Sequence, residues 1–267
     1  MKNRISIAPG RRILSTSLVK GIRLLEAVTN HGEIGVSDLA RLTGINKSNV
    51  HRILSTLETL GYVEKDTKNL KYKTTLKVFQ LGSRVIEGTG LREVVVPFLK
   101  ELGARFGETA NLGVLDGGEV VYIEKVESSE VLRMDLSVGR SVPAYCTALG
   151  KVLLADLGEE ELKVYLDNTK MAKKTFHEVP DRDEFLRRLG RIREQGYAVD
   201  RQELDIGITC IAAPVRNHTG RVVAAVSVAG PSTRMTDDKL EEITTPLMET
   251  TLAISRKLGL AKESYAL

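Results

Sequence analysis

The stretch GVSDLARLTGINKSNVHRILSTLETLGYVEKD, residues 35–66, decides how the front of this chain reads. Its centre, Asn46 to Leu60, carries Val50, Ile53, Leu54, Leu57 and Leu60 at helical spacing, so one side of a helix is apolar. At about 100° per residue, Ser48, Arg52, Ser55 and Thr59 fall opposite that side, flanked by His51 and Asn49. No acid intervenes before Glu58. Such a helix rests on a core and turns short hydrogen-bonding side chains, one Arg and one His outward, which suits a groove of DNA. An ordinary solvated helix face has a similar composition, so the neighbouring segments decide.

Upstream, Ser17 is placed to cap a first helix with Leu18, Ile22, Leu25 and Val28 as its buried stripe, ended by Asn30-His31-Gly32. Ser37 is placed to cap a second, short helix through Leu39, Ala40 and Leu42. Gly44 supplies the turn, Ile45 is apolar and Asn46 caps the third helix. A short helix, a glycine turn and a longer helix with a polar outer face form the helix-turn-helix pattern. Downstream of Gly61, Tyr62–Lys65 and Leu70–Lys73 read as two short strands joined by Asp66–Asn69. This hairpin carries Lys65, Lys68, Lys71 and Lys73, the composition of a wing that straddles phosphates. Edge protection would also use lysines; the preceding helix favours the wing.

The charge distribution agrees. Residues 1–90 hold 15 Lys and Arg against 7 Asp and Glu, whereas residues 91–267 hold 24 against 28. A basic first third on a slightly acidic remainder points to a polyanion bound by the first part only. Residues 1–16, with Lys2, Arg4, Arg11, Arg12 and the Pro9-Gly10 break, read as a disordered basic arm. Two cysteines make no disulfide framework, which indicates a reducing compartment. No signal peptide is visible, and Val222–Val228, the longest apolar stretch, is too short to span a bilayer. The expectation is a cytoplasmic protein with no membrane contact.

After Gly88 and Gly90 the pattern changes. Residues 91–106 read as a helix containing Pro97. Asn111–Leu115 and Glu119–Val126 flank Asp116-Gly117-Gly118, a hairpin signal. Val131–Leu136 reads as a third strand, and Cys146–Leu154 as a helix. Glu159–Leu166 and Asp183–Gln195 are amphipathic helices; Gly196–Val199, Ile211–Val215 and Arg221–Val228 are strands. Thr236 caps a last helix whose first turn holds Asp237 and Asp238, and Pro246 should bend it. Strands with helices on both sides indicate an α+β unit. Neither Gly88-x-Gly90 nor Gly150-Lys151 completes a nucleotide loop: Glu93 replaces the third glycine of the first, and Tyr145 and Val152 replace required residues of the second.

Residues 35–66, followed by YKTTLKVFQLGSRV (72–85), resemble the winged helix and linker of the IclR family of bacterial transcriptional regulators. Gly196, Asp200, Glu203, Cys210, Ile211, Ala212 and Val215 keep the spacing of that family's second motif, with a departure at Arg216. The resemblance covers roughly 17–259 and implies a winged helix-turn-helix joined by a linker helix to a GAF-like α+β effector-binding domain. The divisions are a basic arm at 1–16, a DNA-binding domain at 17–75, a linker helix at 76–90 and the effector domain at 91–267. Val78, Phe79, Leu81, Val85 and Ile86 would pack the linker on a partner helix.

The resemblance further implies a small, acidic metabolite in a pocket lined by Met134, Ala148, Leu149, Asp200, Cys210 and Ser227, with Ala229 where some relatives have a second serine. Backbone N–H groups at the start of the 146–154 helix would meet a carboxylate. Asp200 and Ser227 would then bond hydroxyl or keto oxygens, with Cys210 a weakly polar wall. The function implied is an effector-controlled DNA-binding regulator, a repressor by expectation. As a homodimer or homotetramer it would read a near-palindromic operator in double-stranded DNA. Lys47, Ser48, Asn49, His51 and Arg52 would contact DNA through the helix, and the four wing lysines would contact phosphate. Cys146 could equally be a plain buried cysteine, and Asp200 and Glu203 loop caps. The alternative function is an enzyme using Cys146 or Cys210 with His177 or His218. Two Cys and four His without a close ligand pair argue against a metal site, and no cofactor is expected.

Overall fold

A computed structural model describes residues 15–87 (backbone alone at 82–87), 90–134, 137–176 and 181–261. Residues 1–14 of the proposed arm, His177, and the side chains of Val85 and Ile86 lie outside the described residues; the last two arm residues, Ser15 and Thr16, are instead the cap and first residue of a helix. Contacts divide the chain into two compact units, 1–88 and 89–267.

The first unit opens with α1 (Thr16–His31), α2 (Val36–Thr43) and α3 (Lys47–Thr59). Ser15, not Ser17, caps α1, accepting from the Leu18 N–H at 3.3 Å. The buried side of α1 is Leu24 and Val28, while Leu18 and Ile22 are exposed. The apolar arc of α1 is therefore wider than the core uses, and the core takes the Leu24 side of it. At α2, Ile34 exchanges backbone hydrogen bonds with Tyr72 (3.0 and 2.9 Å), and the helix starts at Val36 with Gly35 as its cap. Ser37 thus sits inside the helix rather than capping it, and Leu42 is exposed. Gly44 adopts φ 71°, the left-handed conformation that glycine tolerates best, and donates its N–H to Ala40. Asn46 caps α3, its Oδ1 accepting from the Asn49 N–H at 2.9 Å.

The wing is shorter than the sequence suggests. β1 (Val63–Lys65) and β2 (Tyr72–Thr74) pair antiparallel, Glu64 opposite Lys73. The second strand starts at Tyr72 because Leu70 turns to φ 57° and closes the loop, donating to Asp66 O at 2.9 Å. Leu24, Val28, Ile34, Leu39, Ile45, Val50, Leu54, Val63 and Tyr72 form one core. α4 (Leu76–Glu87) follows, with Thr75 Oγ1 accepting from the Lys77 N–H and donating to Gly61 O. On α4, Leu76, Phe79 and Leu81 are exposed.

The second unit comprises α5 (Leu91–Phe106), β3 (Thr109–Asp116), β4 (Glu119–Val126), β5 (Ser141–Pro143), α6 (Ala148–Ala155), α7 (Glu159–Asn168), α8 (Arg182–Gln195), β6 (Ala198–Arg201), β7 (Ile208–Arg216), β8 (Val222–Pro231) and α9 (Asp237–Lys257). Its six-stranded antiparallel sheet runs β5-β4-β3-β8-β7-β6. α5 and α9 pack on strands and on one another; α6 packs on strands and on α8. Gly117 and Gly118, at φ 55° and 87°, make the two-residue turn between β3 and β4.

Three expectations are corrected here. Residues 131–134 form no strand, and Val131 and Leu132 are exposed; β4 instead pairs with β5, Val120 opposite Val142. The helix expected from Cys146 starts at Ala148, because Thr147 Oγ1 caps it by accepting from the Gly150 N–H at 2.9 Å. A 3-10 turn, Ala144–Cys146, precedes it. The strand expected from Gly196 starts at Ala198, because Gly196 is the left-handed cap of α8 at φ 80°.

Candidate functional site

In the first unit α3 presents the residues read as its outer face. Lys47, Ser48, His51 and Arg52 are exposed and Asn49 is half-buried. Arg52 Nη2 donates to Asn49 Oδ1 at 3.3 Å, holding two candidate base-reading groups side by side. In the wing, Lys68 and Lys71 are exposed without an acidic partner within 4 Å among the described residues. Lys73 is paired with Glu64 at 3.1 Å, and that hydrogen bond raises its pKa. Lys65 is half-buried, its Nζ 5.6 Å from the centre of the Tyr72 ring. The four lysines are therefore not equivalent: Lys68 and Lys71 carry uncommitted charge, Lys73 shares its charge, and Lys65 is tethered over an aromatic face. Asp66 Oδ1 accepts from the Lys68 N–H at 2.6 Å and fixes the wing loop between them.

In the second unit a partly open cavity of about 120 Å³ brings Met134, Ala148, Leu149, Asp200, Cys210 and Ser227 together. They come from five separate segments. Tyr122, Arg133, Arg140, Thr147, Leu204, Asp205 and Ile208 complete the lining, and the sequence reading missed all seven. A signal for Tyr122 existed. It lies two residues from Val120 on β4, both are buried, and a buried tyrosine hydroxyl needs a polar partner. Nothing in the sequence marks Arg140, which precedes β5 at the rim. Ala229 and Cys146 are buried but do not line the cavity. Cys146 Sγ lies 3.5 Å from Pro143 O, inside the turn before α6.

The cavity's polar groups are held from behind. Asn111 Nδ2 donates to Ser227 Oγ at 3.3 Å, which leaves the serine hydroxyl hydrogen free to point elsewhere. Asp200 Oδ1 accepts from the Glu203 N–H at 2.7 Å. Burial pushes the Asp200 carboxyl up to about 7; Lys151 opposes this, Glu203 reinforces it, and the N–H groups of Glu203 and Leu204 oppose it. Burial likewise drives the Cys210 thiol well above its ordinary range, with Asp200 adding to the effect. Lys151 is itself buried, its Nζ donating to Glu203 Oε1 at 2.5 Å and to Val199 O at 2.7 Å. That second bond covers part of the free edge of β6, the last strand of the sheet. Gly150 is obligatory: a Cβ there would lie 2.1 Å from Ala144 O. The Gly150-Lys151 pair thus serves packing and a buried ion pair, consistent with its failure to match a nucleotide loop. Arg216, the departure from the family motif, joins Asp156 Oδ1 at 2.6 Å and Gly220 O at 2.8 Å, and so ties the end of α6 to the β7–β8 turn. Among the described residues, no group of His, Cys, Asp and Glu is placed to hold a metal, and no helix is long and apolar enough to cross a membrane.

A winged helix-turn-helix head with an uncommitted basic surface, followed by a separate α+β unit around a polar cavity, is the architecture of a one-component transcriptional regulator. Residues 17–67 match the IclR helix-turn-helix domain, and 83–256 match the family described as bacterial transcriptional regulator IclR C-terminal. The chain belongs to the IclR family of DNA-binding transcriptional regulators. It is similar to the HTH-type transcriptional regulator XynR of Escherichia coli, 36% identical over 244 residues that span 91% of this chain and 97% of XynR. The regulator KdgR of the same organism is 36% identical over 244 residues, 91% of this chain and 93% of KdgR. Among solved structures, the Thermotoga maritima IclR is 36% identical with a TM-score of 0.76, covering 91% of this chain and 98% of that one.

Proposed function

We propose that this chain is a repressor whose hold on its operator is set by a small, acidic metabolite bound in the cavity of the second unit. The observation that carries this reading is the cavity itself: it is lined by Asp200, Ser227 and the first turn of α6, whose leading N–H groups have no intrahelical acceptor. A carboxylate at that turn would leave Asp200 and Ser227 for its hydroxyl or keto oxygens. Ser48, Asn49, His51 and Arg52 read base edges, Arg52 at guanine; Lys47, Lys65, Lys68, Lys71 and Lys73 meet phosphate.

Residues 1–14 act as a basic arm, 15–75 as the DNA-binding domain, 76–90 as the linker and 91–267 as the effector domain. The exposed Leu18 and Ile22 of α1, with Leu76 and Phe79 of α4, give apolar surface for a second copy. Two heads would then enter major grooves about 34 Å apart on a near-palindrome. Ligand binding would act by favouring one arrangement of the heads, which requires unequal affinity for the two. The protein works in the cytoplasm.

The enzyme alternative has little support. The Cys210 thiol is held protonated by burial, and Cys146 lies outside the cavity lining. His218 sits beyond the far end of β7 from Cys210, about 20 Å along an extended strand. The test is selection of duplex sequences by the full-length protein, followed by anisotropy titrations with and without small organic acids. A sequence-specific complex weakened by one class of acid is expected. No sequence preference at low salt, with or without any acid, overturns the reading.

A further inference from the structure

We propose that Tyr122 and Arg140 form a second anion-recognising point in the cavity, so that the preferred effector is a short acid carrying two anionic groups. The inference rests on the acidic-effector reading above and adds the class of acid. Tyr122 is almost wholly buried, yet its hydroxyl meets no protein donor or acceptor among the described residues while its side chain lines the cavity. The hydroxyl opens onto the cavity, so its available partner is water or a group bound there. Burial raises the Tyr122 pKa far above the usual phenol value, so at neutral pH the hydroxyl is a donor.

Arg140 lines the same cavity and lies close enough to Tyr122 to favour its ionisation. Its guanidinium has no acid and no hydrogen-bond partner among the described residues. Arg133, the other cavity arginine, is already engaged: Nη2 meets Glu127 at 3.3 Å and Nη1 donates to Glu130 O at 3.4 Å. A neutral hydroxyl donor beside an uncommitted guanidinium is the chemistry that recognises a carboxylate or phosphate. The first turn of α6 already provides for one anionic group. With a single acid bound there, Tyr122 and Arg140 would stay unused. A second acid group gives both a partner and sets the class of ligand apart from simple monoacids.

The experiment uses the full chain and matched pairs of acids: butanoate with butanedioate, pentanoate with pentanedioate, and the 2-oxo and 2-hydroxy forms of each. Thermal shift and calorimetry supply affinities. The expected result is that each diacid binds about tenfold or more tightly than its matched monoacid. Arg140→Gln, at an exposed position, should remove that advantage while changing monoacid affinity less than about twofold. Tyr122→Phe keeps the ring packing and should narrow the advantage by a smaller factor. Diacids and monoacids binding alike, or an unchanged preference in Arg140→Gln, overturns the proposal and leaves the acidic-effector reading standing. Saturable binding of neither class, with binding of a neutral metabolite instead, overturns that reading and the proposal together.

Discussion

The head and the sensory unit use polar side chains in opposite ways. On the head, Ser48, His51, Arg52, Lys68 and Lys71 are exposed, lightly bonded and independent of one another. In the sensory unit, Asp200, Glu203, Lys151, Asn111, Ser227 and Tyr122 are buried and most lean on a neighbour. An exposed set gives contacts that add and that salt weakens. A buried set gives contacts that stand or fall together and that respond to protons. The difference predicts where single substitutions will be mild and where they will be severe.

The largest effect should come from Lys151→Ala. It leaves the buried Glu203 carboxylate with only the more distant Arg188 guanidinium, at 3.9 Å, and uncovers the Val199 carbonyl. Breaking such a pair from one side costs about 3–5 kcal/mol. Denaturant unfolding of the sensory unit should shift accordingly, and Lys151→Met with Glu203→Leu should recover most of the loss. A single variant as stable as the parent would mean that the pair is solvated in solution and that the two units hold their charges alike. Next comes Arg52→Ala on the head. Discrimination at its base pair should fall by about 1–3 kcal/mol while binding to random DNA persists. Equal loss on specific and random duplexes would make Arg52 a phosphate contact.

The sharpest form of the comparison is a pH titration. The Asp200 carboxyl is pushed from 3.8 in the unfolded chain to about 7 when folded. The folded state therefore holds a proton that the unfolded state has released. This group's contribution to stability is full below about pH 4 and is lost as pH rises toward 7. The groups whose charge acts on Asp200 are Lys151 and Glu203, with Cys210 and Tyr122 nearby and Asp205 at the rim. For an anionic effector the sign is the same: a neutral Asp200 repels it less. Affinity should fall about tenfold between pH 6 and pH 8, and Asp200→Asn should flatten that dependence. The head's DNA affinity should show no step centred near 7 that depends on Asp200. A step retained in Asp200→Asn would assign the proton elsewhere.

The wing lysines refine the exposed half. Lys71→Ala should reduce the slope of log affinity against log salt by about one unit, equally on all sequences. Lys73→Ala should reduce it less, because Glu64 already shares its charge. Equal reductions would show that the ion pair opens on DNA.

The same contrast explains how much the sequence disclosed. Helix periodicity is local, so the order α1-α2-α3-wing, the Gly44 turn and the Asn46 cap were all readable from a short stretch. Which part of the apolar arc of α1 is buried was not, because that depends on what α2 and α3 present to it. Six cavity residues came from resemblance to a family, and the seven others lie on segments whose convergence only the sheet order produces: Tyr122 on β4, Arg140 before β5, and Leu204 to Ile208 after β6. The strand expected at Val131–Leu136 is absent over its described part, 131–134, for a related reason. β-branched residues favour a strand only where a partner edge is available, and β5 occupies that edge of β4.

The smallest predicted effect tests whether the exposed half is also the strained half. Leu70 holds φ 57° at the wing turn with its side chain largely in solvent. A non-glycine residue in that region costs about 1–2 kcal/mol, and asparagine costs less because its short amide bonds locally. Leu70 closes the loop through its own N–H to Asp66 O, a backbone bond that any residue but proline keeps. Leu70→Asn should therefore raise the melting temperature of the head by a few degrees, and leave the salt slope of DNA binding as it was. A lower melting temperature would mean that the Leu70 side chain has apolar contacts worth more than the strain. The wing would then be the one part of the head whose residues depend on packing, as those of the cavity do.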